Sequence, residues 1–494
     1  MKIIELGKNS KIRLNLKKIR LPDIIYKSLN RDLIIIIVSC ILFLMMELPT
    51  LVNGRPIMID EAWYTNPAYN FSQGQWIHNT NVGSGGDVNF IFPFVQGILF
   101  AILGYSIFLA RFTSVLAGFF SIVVIFKILK QFNINTNAVI IGILALIAIP
   151  VYHSVFRYAR PESWAILFVL LSLLYFIKYI QRAAYKRILF TGIFCALGFL
   201  AHPFTTAVSL SIGIILLFHC FKNKKIMPLI LFTVPIIVSI VAFILNYIHL
   251  LGISGLNQDF GRLNGGGASF IKNISKDFKV IIDSYILNKN AIYFIPLFLV
   301  LLYGLLLKKK NHLAFQSSLM GIIVFCVSFV LFSSGGFNII LYYVFLFSIL
   351  NFVFILNNNA NKVVFIPIGF YLLIMLFANV YYDAKKYEPV NSSLAKELKV
   401  IIPKNAKVMG PTEFWMFLPE TQFKSTGYRW DSAVDTKQLP AKFDYFLLFS
   451  EDKTNVYQDV YNTNQAFKGF PGTTLIYHMH SKNYGEIAVY SLKN

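Results

Sequence analysis

Apolar runs long enough to cross a lipid bilayer recur along the chain from Leu33 to about Tyr382, and no other feature constrains the fold as strongly. In hydrocarbon no water satisfies a backbone N–H or C=O, so a segment crosses only as a helix or as part of a closed barrel. A helix needs roughly 20 predominantly apolar residues for this, and the runs have that length. Crossings are expected at residues 33–51, 106–129, 138–155, 164–180, 188–201, 205–221, 226–250, 291–307, 313–332, 339–356 and 363–382. A composition of 56% hydrophobic and 14% charged residues over 494 residues, with mean hydropathy +0.62, excludes an ordinary soluble domain.

Charge sets the orientation. Lys8, Lys11, Arg13, Lys17, Lys18, Arg20, Lys27 and Arg31 precede the first run, and no small-residue cleavage pattern follows it. That is the pattern of an uncleaved signal anchor with a cytoplasmic N-terminus. Residues 90–130 are too long for one crossing, yet two would put Lys127 and Lys130 outside, against the positive-inside rule. Residues 90–105, with Pro93, Gly97 and Gly104, are therefore expected to be re-entrant or interfacial. The basic loops at 178–187, 222–225, 308–310 and Lys362 then fall inside, giving about eleven crossings and an outer C-terminus.

The expected organisation is thus a basic cytoplasmic N-terminus (1–32), a polytopic α-helical transmembrane domain (33–382) with an outer loop at 52–105, and a small extracytoplasmic α/β domain (383–494). In the last, 443–450, 474–480 and 486–492 read as strands and 393–400 as helix. The net charge of +22 suits inner loops that meet anionic membrane lipid. No basic patch interleaved with aromatics stands outside those loops, so no nucleic-acid partner is expected. Cys40, Cys195, Cys220 and Cys326 lie in or beside apolar runs without paired spacing and read as core residues, not disulfides or zinc ligands. The lack of an internal repeat argues against an inverted-repeat transporter.

Several outer positions could carry chemistry. Asp60 and Glu61 are adjacent just beyond the first crossing. A helix starting near Ile59 would hold both in its first turn, where the dipole favours the ionised form that a general base requires. The same placement also suits plain helix-start charge facing water. The turn Phe156-Arg157-Tyr158-Ala159-Arg160-Pro161-Glu162 sets charge between two apolar helices, which is costly unless paired or used. Three apart, Arg157 and Arg160 could direct both guanidinium forks at one phosphate, or Arg160 and Glu162 could form a structural pair.

His202, at the end of a further crossing, could bind phosphate, move a proton or ligate a metal, or be a capped polar residue. Arg111, near the outer end of the second span, could offset Asp60 and Glu61 or snorkel to the interface. The polar, glycine-rich stretch 257–267, containing Arg262, suits a lid and has no P-loop pattern. Tyr342 and Tyr343 suit an interfacial belt or the lining of a lipid-phosphate cleft. His153, His249, His478 and His480 read as structural, and residue types without ligand spacing define no metal site.

Together these blocks resemble the GT-C superfamily of membrane glycosyltransferases, and within it glycosyltransferase family 39, which contains protein O-mannosyltransferases and aminoarabinose transferases. Asp60-Glu61-Ala62-Trp63-Tyr64, with Gly74-Gln75-Trp76 after it, is similar to that family's first-loop motif. Phe94 through Gly104 and Leu109-Ala110-Arg111-Phe112 are similar to its juxtamembrane segment and helix start. Ala159-Arg160-Pro161-Glu162 resembles its second outer loop, and Gly198-Phe199-Leu200-Ala201-His202-Pro203 its third. The resemblance runs from the N-terminus to roughly residue 220.

It implies an inverting transferase of the cell membrane. A hexosyl or pentosyl unit would pass from a polyprenyl-phosphate donor to a hydroxyl of a protein, lipid or glycan acceptor at the outer face. Asp60 is implied as base, Glu61 as its orienting partner or an acceptor ligand, and Arg157, Arg160 and His202 as partners of the departing phosphate. Arg111 and Glu162, inside the resembling blocks, are expected at the substrate site, and Arg262, Tyr342 and Tyr343 are added to it from their own positions alone. No organic cofactor is implied. A divalent metal is left open, since Glu162 stands where aspartate is common and His202 where the aminoarabinose branch carries lysine. The rival readings are a lipid-linked saccharide transporter or scramblase without covalent chemistry, and a structural subunit of an envelope complex.

Overall fold

The computed structural model describes residues 21–53, 55–78, 90–263, 279, 283, 291–331, 337–358, 365–386, 391–425, 443–449, 474–481 and 483–492. The apolar part of the chain is helical. It comprises α1 (Leu21–Glu47), α2 (Ile59–Ser72), α3 (Ile91–Leu103), α4 (Ile107–Gln131), α5 (Thr136–Ala148), α6 (Pro150–Arg157), α7 (Glu162–Gln181), α8 (Tyr185–Ala201), α9 (Thr206–Asn223) and α10 (Met227–Leu263). It continues with α11 (Ala291–Leu306), α12 (His312–Leu331), α13 (Phe337–Asn358) and α14 (Phe365–Lys386).

Helix therefore stands at each position where a crossing was expected. Among the described residues, four segments are long and apolar enough to cross by themselves: α4, α7, Pro203–Asn223 and Met227–Leu250. Two-thirds of the apolar window is buried in α4 and in α7, against 17% in Met227–Leu250. The first two are interior helices, whereas α10 turns Val234, Ile237, Val238, Val241 and Leu245 outward, as a lipid-facing helix must.

Three expectations change. Residues 138–155 are two helices, because Pro150 has no N–H to donate and holds Ile149 extended (ψ 124°) before opening α6 at its first position. The freed carbonyl of Ala148 accepts from Asn379 Nδ2 at 2.9 Å. Second, residues 257–263 are not a loop: α10 runs on through Leu263, a stretch without proline that continues its turns. The lid expected at 257–267 is helical in its first part, and 264–267 lie outside the described residues. Third, Cys326 is exposed, while Cys40, Cys195 and Cys220 are buried thiols as expected.

The segment expected to be re-entrant or interfacial is α3. Its 13 residues span about 20 Å at 1.5 Å per residue, short of a bilayer core. It lies against α2, and Gly97 permits the approach: a Cβ there would sit 2.8 Å from the Ala68 carbonyl oxygen and 2.7 Å from the Phe71 ring. Its other face leaves Phe94, Ile98, Ile102 and Leu103 exposed.

The C-terminal part holds α15 (Asn391–Ile401) and β1 (Lys407–Gly410), β2 (Gln422–Ser425), β3 (Tyr445–Phe449), β4 (Thr474–Ser481) and β5 (Gly485–Ser491). The sheet order is β2-β1-β3-β5-β4. β1 is parallel to β2 and β3, and β5 is antiparallel between β3 and β4. Alternation splits the strands between two faces. Val408, Leu447, Ile487 and Val489 cluster with Leu394 and Leu398 of α15, whereas Met409, Phe446, Ala488 and Tyr490 form a second small core.

The first of those clusters also contains Ala68, Phe92, Phe100 and Trp415, so the sheet module sits on α2 and α3. Tyr69, Tyr105 and Trp415 meet edge to face, at 5.5 to 6.0 Å between centroids. Asn391 Nδ2 donates to the carbonyls of Val52 (2.7 Å) and Arg55 (2.8 Å). The Tyr484 hydroxyl donates to Asn391 Oδ1 and accepts from the Ile57 amide, each at 2.8 Å.

Candidate active site

α2 begins with Asp60 and Glu61 in its first turn, and the two carboxylates part company there. Glu61 is fully buried. Its Oε2 accepts from the Met58 amide (3.0 Å), the reach-back of an N3 acid that satisfies a helix-start donor. Arg111 of α4 closes a two-pronged pair on it, Nε to Oε1 and Nη2 to Oε2, both 2.8 Å. The Ala159 amide gives a further bond to Oε1 at 2.9 Å.

The remaining donors of Arg111 fix the loop between α1 and α2. Nη1 donates to Leu51 (2.8 Å), Val52 (3.3 Å) and Arg55 (3.3 Å), and Nη2 to Pro56 (3.0 Å). Arg111 does offset an acid of the first loop, as one of the two sequence readings had it, but the pair is sealed. Its geometry is that of a pin holding α2 to α4 and to the turn after α6.

Arg157 makes a second sealed pair. Its Nε donates to Glu47 Oε2 (2.9 Å) and its Nη2 to the Met46 carbonyl (3.0 Å), while His153 Nδ1 meets Glu47 Oε1 at 2.7 Å. The expectation that Arg157 and Arg160 converge on one phosphate is therefore corrected. Arg157 ends α6 pointing at α1, and Arg160 lies beyond the helix on the other side of the turn.

Arg160 is the centre of the open group. Nη1 lies 3.2 Å from Asp60 Oδ2, Nη2 lies 2.6 Å from Glu162 Oε1, and Nε donates to Glu162 Oε2 at 3.2 Å. Asp60 keeps 33% and Arg160 19% of the side chain exposed, against none for Glu162. His202 Nε2 stands 4.0 Å from Glu162 Oε1, and its Nδ1 accepts from the Phe204 amide at 3.4 Å. The turn itself is rigid: Ser114 and Ser163 hydroxyls bond the Arg160 carbonyl at 3.3 and 2.8 Å.

Burial pushes the Asp60 carboxyl above its ordinary range, opposed by Arg160 and reinforced by Glu162 and Glu61. Burial works against the Arg160 charge, but Glu162 and Asp60 outweigh it and hold that guanidinium well above its usual value. Burial also pushes His202 down to about 4, so the imidazole is neutral at pH 7. The group is thus a carboxylate one-third exposed and of raised basicity beside a permanent cation, an arrangement that can take a proton and bind an anion.

From α13, Tyr342 comes near Arg160 and Tyr343 near Glu162. The Tyr343 hydroxyl is buried without a hydrogen-bond partner among the described residues. The backbone of Arg262 lies on α10, and its side chain is outside the described residues. No group of three or more His, Cys, Asp and Glu among the described residues is arranged to hold a metal ion.

The family model described as dolichyl-phosphate-mannose-protein mannosyltransferase matches residues 87–246. ArnT from Cupriavidus metallidurans bound to undecaprenyl phosphate superposes with a TM-score of 0.60 at 10% identity, over 92% of this chain and 97% of that one. The apo state of the same protein gives 0.57 at 11% identity, over 94% and 98%. The chain has the GT-C fold. A comparison with curated protein sequences returns no match.

The segment matched by the family model carries Arg111, Arg160, Glu162 and His202, and lies beyond Asp60 and Glu61. Two residues at or near the site were not singled out from sequence. Glu47 had a usable signal, as an acid inside an apolar crossing. Arg55 had none: a loop arginine gains meaning only from its place 5.3 Å over the Tyr158 ring, beside Arg111 at 5.6 Å.

Proposed function

We propose that this protein is an inverting glycosyltransferase that moves a sugar from a polyprenyl-phosphate donor to an acceptor hydroxyl at the outer membrane face. The observation that carries the reading is the contrast between the sealed Glu61–Arg111 pair and the accessible Asp60–Arg160 pair one residue away. The undecaprenyl phosphate bound by ArnT supports a lipid-phosphate donor.

In this reading the donor phosphate takes over Arg160 Nη1, which frees Asp60 from its cation as the site fills. Asp60 Oδ2 then accepts the proton of the acceptor hydroxyl while that oxygen bonds to the anomeric carbon. The bond from that carbon to the phosphate oxygen breaks, and the polyprenyl phosphate leaves with the electron pair. A single displacement inverts configuration. Charge grows on the phosphate oxygens during this step, so Arg160 acts most strongly in the transition state. Glu162 fixes Arg160 by two bonds, His202 backs Glu162, and Glu61 with Arg111 holds the start of α2 in place.

The orientation follows the basic loops, with the N-terminus and the Lys178–Arg187 end of α7 in the cytoplasm and the sheet module outside. Incorporation of radiolabelled sugar from polyprenyl-phosphate donors into membrane fractions tests the proposal, comparing wild type with Asp60→Asn and Arg160→Ala. Loss in both at equal expression supports it. Transfer retained in Asp60→Asn removes the base. Absence of transfer in wild type, with lipid-linked sugar moving between leaflets instead, favours the transporter.

A further inference from the structure

A second polar site lies at the other end of α7. The 20 residues of α7 put Gln181 about 30 Å from Glu162, a bilayer core away from the active site. There a groove of about 710 Å³ opens between α4, α7 and α8, lined among others by Tyr175, Lys178, Arg182, Lys186, Arg187 and Phe190. It contains no acid in its lining, and Lys127 of α4 adds positive charge close to Lys178. Among the described residues no carboxylate pairs with Lys178, Arg182 or Lys186, although Lys130 nearby has found Asp32 at 2.8 Å.

Arg187 is used structurally: its Nη1 donates to the carbonyls of Lys178 (2.6 Å) and Arg182 (3.1 Å), closing the end of α7. The other three cations surround the opening. Lys178 Nζ sits 5.1 Å over the Tyr175 ring and Lys186 Nζ 5.8 Å over the Phe190 ring. Behind them an aromatic wall climbs into the apolar layer, with Tyr175, Phe190 and Phe194 at 5.2 to 6.3 Å from one another. α8 starts in the groove with Ala184 at its cap, which offers no side chain to the first-turn amides.

Like charges crowded without acids are costly by themselves and favourable around an anion. A rim of cations over an apolar aromatic wall matches a molecule with a phosphate at one end and acyl chain at the other. We propose that this groove is a binding slot for the headgroup of an anionic phospholipid, its phosphate among Lys178, Arg182 and Lys186 and its chains along Tyr175, Phe190 and Phe194. A free phosphate would meet the same cations but would make no use of the wall. The slot is independent of the transfer chemistry.

The test is native mass spectrometry of the full-length protein in detergent with added phosphatidylglycerol, phosphatidylcholine or inorganic phosphate. Wild type is expected to retain phosphatidylglycerol over phosphatidylcholine. Lys178→Gln/Arg182→Gln/Lys186→Gln is expected to weaken phosphatidylglycerol by about fivefold for each charge removed. Lys222→Gln/Lys224→Gln/Lys225→Gln, in another basic loop, is expected to leave it unchanged. If the first triple variant does not fold, Arg182→Gln alone, at an exposed position, carries the same fivefold expectation. Equal retention of the two lipids, equal loss in both triple variants, or displacement of lipid by an equal concentration of inorganic phosphate overturns the proposal.

Discussion

Within one turn of α2, Glu61 is enclosed by four fixed donors, from Met58, Ala159 and two nitrogens of Arg111, whereas Asp60 keeps a third of its side chain exposed and meets Arg160 at 3.2 Å. The chemistry of the two side chains is the same; what differs is how much of each is already committed. A carboxylate whose lone pairs are all taken from the dry side holds structure. One that stays partly exposed, with a single cation as partner, has capacity left for a substrate. The same contrast separates Arg157, sealed against Glu47, from Arg160.

The sharpest way to break this comparison is to neutralise each acid in turn. Asp60→Asn is expected to lower transfer by about 10²-fold to 10⁴-fold, the range for losing a general base, with the protein as abundant and heat-resistant as wild type. Glu61→Gln should do the opposite. It strands the buried Arg111 charge and is expected to cost about 3–5 kcal/mol of stability. Radiolabel transfer per folded molecule, beside thermal unfolding followed by size exclusion, separates the two. A stable Glu61→Gln protein with lost transfer would exchange the roles assigned here.

Arg157→Leu extends the test to the second sealed pair. Leaving Glu47 buried without its guanidinium is expected to cost about 3–5 kcal/mol, while the molecules that do fold keep their transfer rate. A thermal midpoint unchanged from wild type, with transfer lost, would return Arg157 to the substrate.

How much of this was legible in the sequence depends on the range of the interaction. Lipid imposes a one-dimensional rule on chain segments, so the apolar runs alone placed the helices. Asp60, Arg160, Glu162 and His202, which the structure brings together, stood out in the sequence because polar groups beside apolar helices are costly and therefore visible. The role of Arg157 was not legible, because its partner Glu47 lies 110 residues earlier and local spacing with Arg160 offered a nearer explanation. β1 and β2 were missed because each is four residues long, and β2 alternates between exposed and buried positions with charge in the run. The helical character of 257–263 was overridden by the glycines that follow it.

Arg160→Gln probes the open pair from its cationic side. Losing one charge-assisted contact to the phosphate is expected to lower kcat/KM by about 10-fold to 100-fold. The pH profile adds a sign. The proposed mechanism needs Asp60 deprotonated, and its carboxyl is pushed up by burial, so activity is expected to fall with acid at a pH above that of an ordinary aspartate. Arg160 opposes that push, so its removal should move the acid limb to still higher pH. A limb that stays in place, measured as kcat/KM against pH, would mean that Asp60 is not the titrating base.

The smallest expected effect lies where the C-terminal sheet module meets the same loop. Asn391 bonds the Val52 and Arg55 carbonyls and holds Tyr484, whose hydroxyl in turn takes the Ile57 amide just before α2. Asn391→Ala removes three hydrogen bonds, yet both carbonyls keep Arg111 Nη1 at 3.3 Å and Tyr484 keeps Ile57. Little is left unpaired, so the expected loss is about 1 kcal/mol of stability and not the several that the sealed ion pairs would cost. If Asn391→Ala instead lowers transfer as far as Arg160→Gln at unchanged stability, then the module does more than rest on the loop. It would set the position of Asp60 through the start of α2, and the division between sealed structure and open site would have to include the sheet.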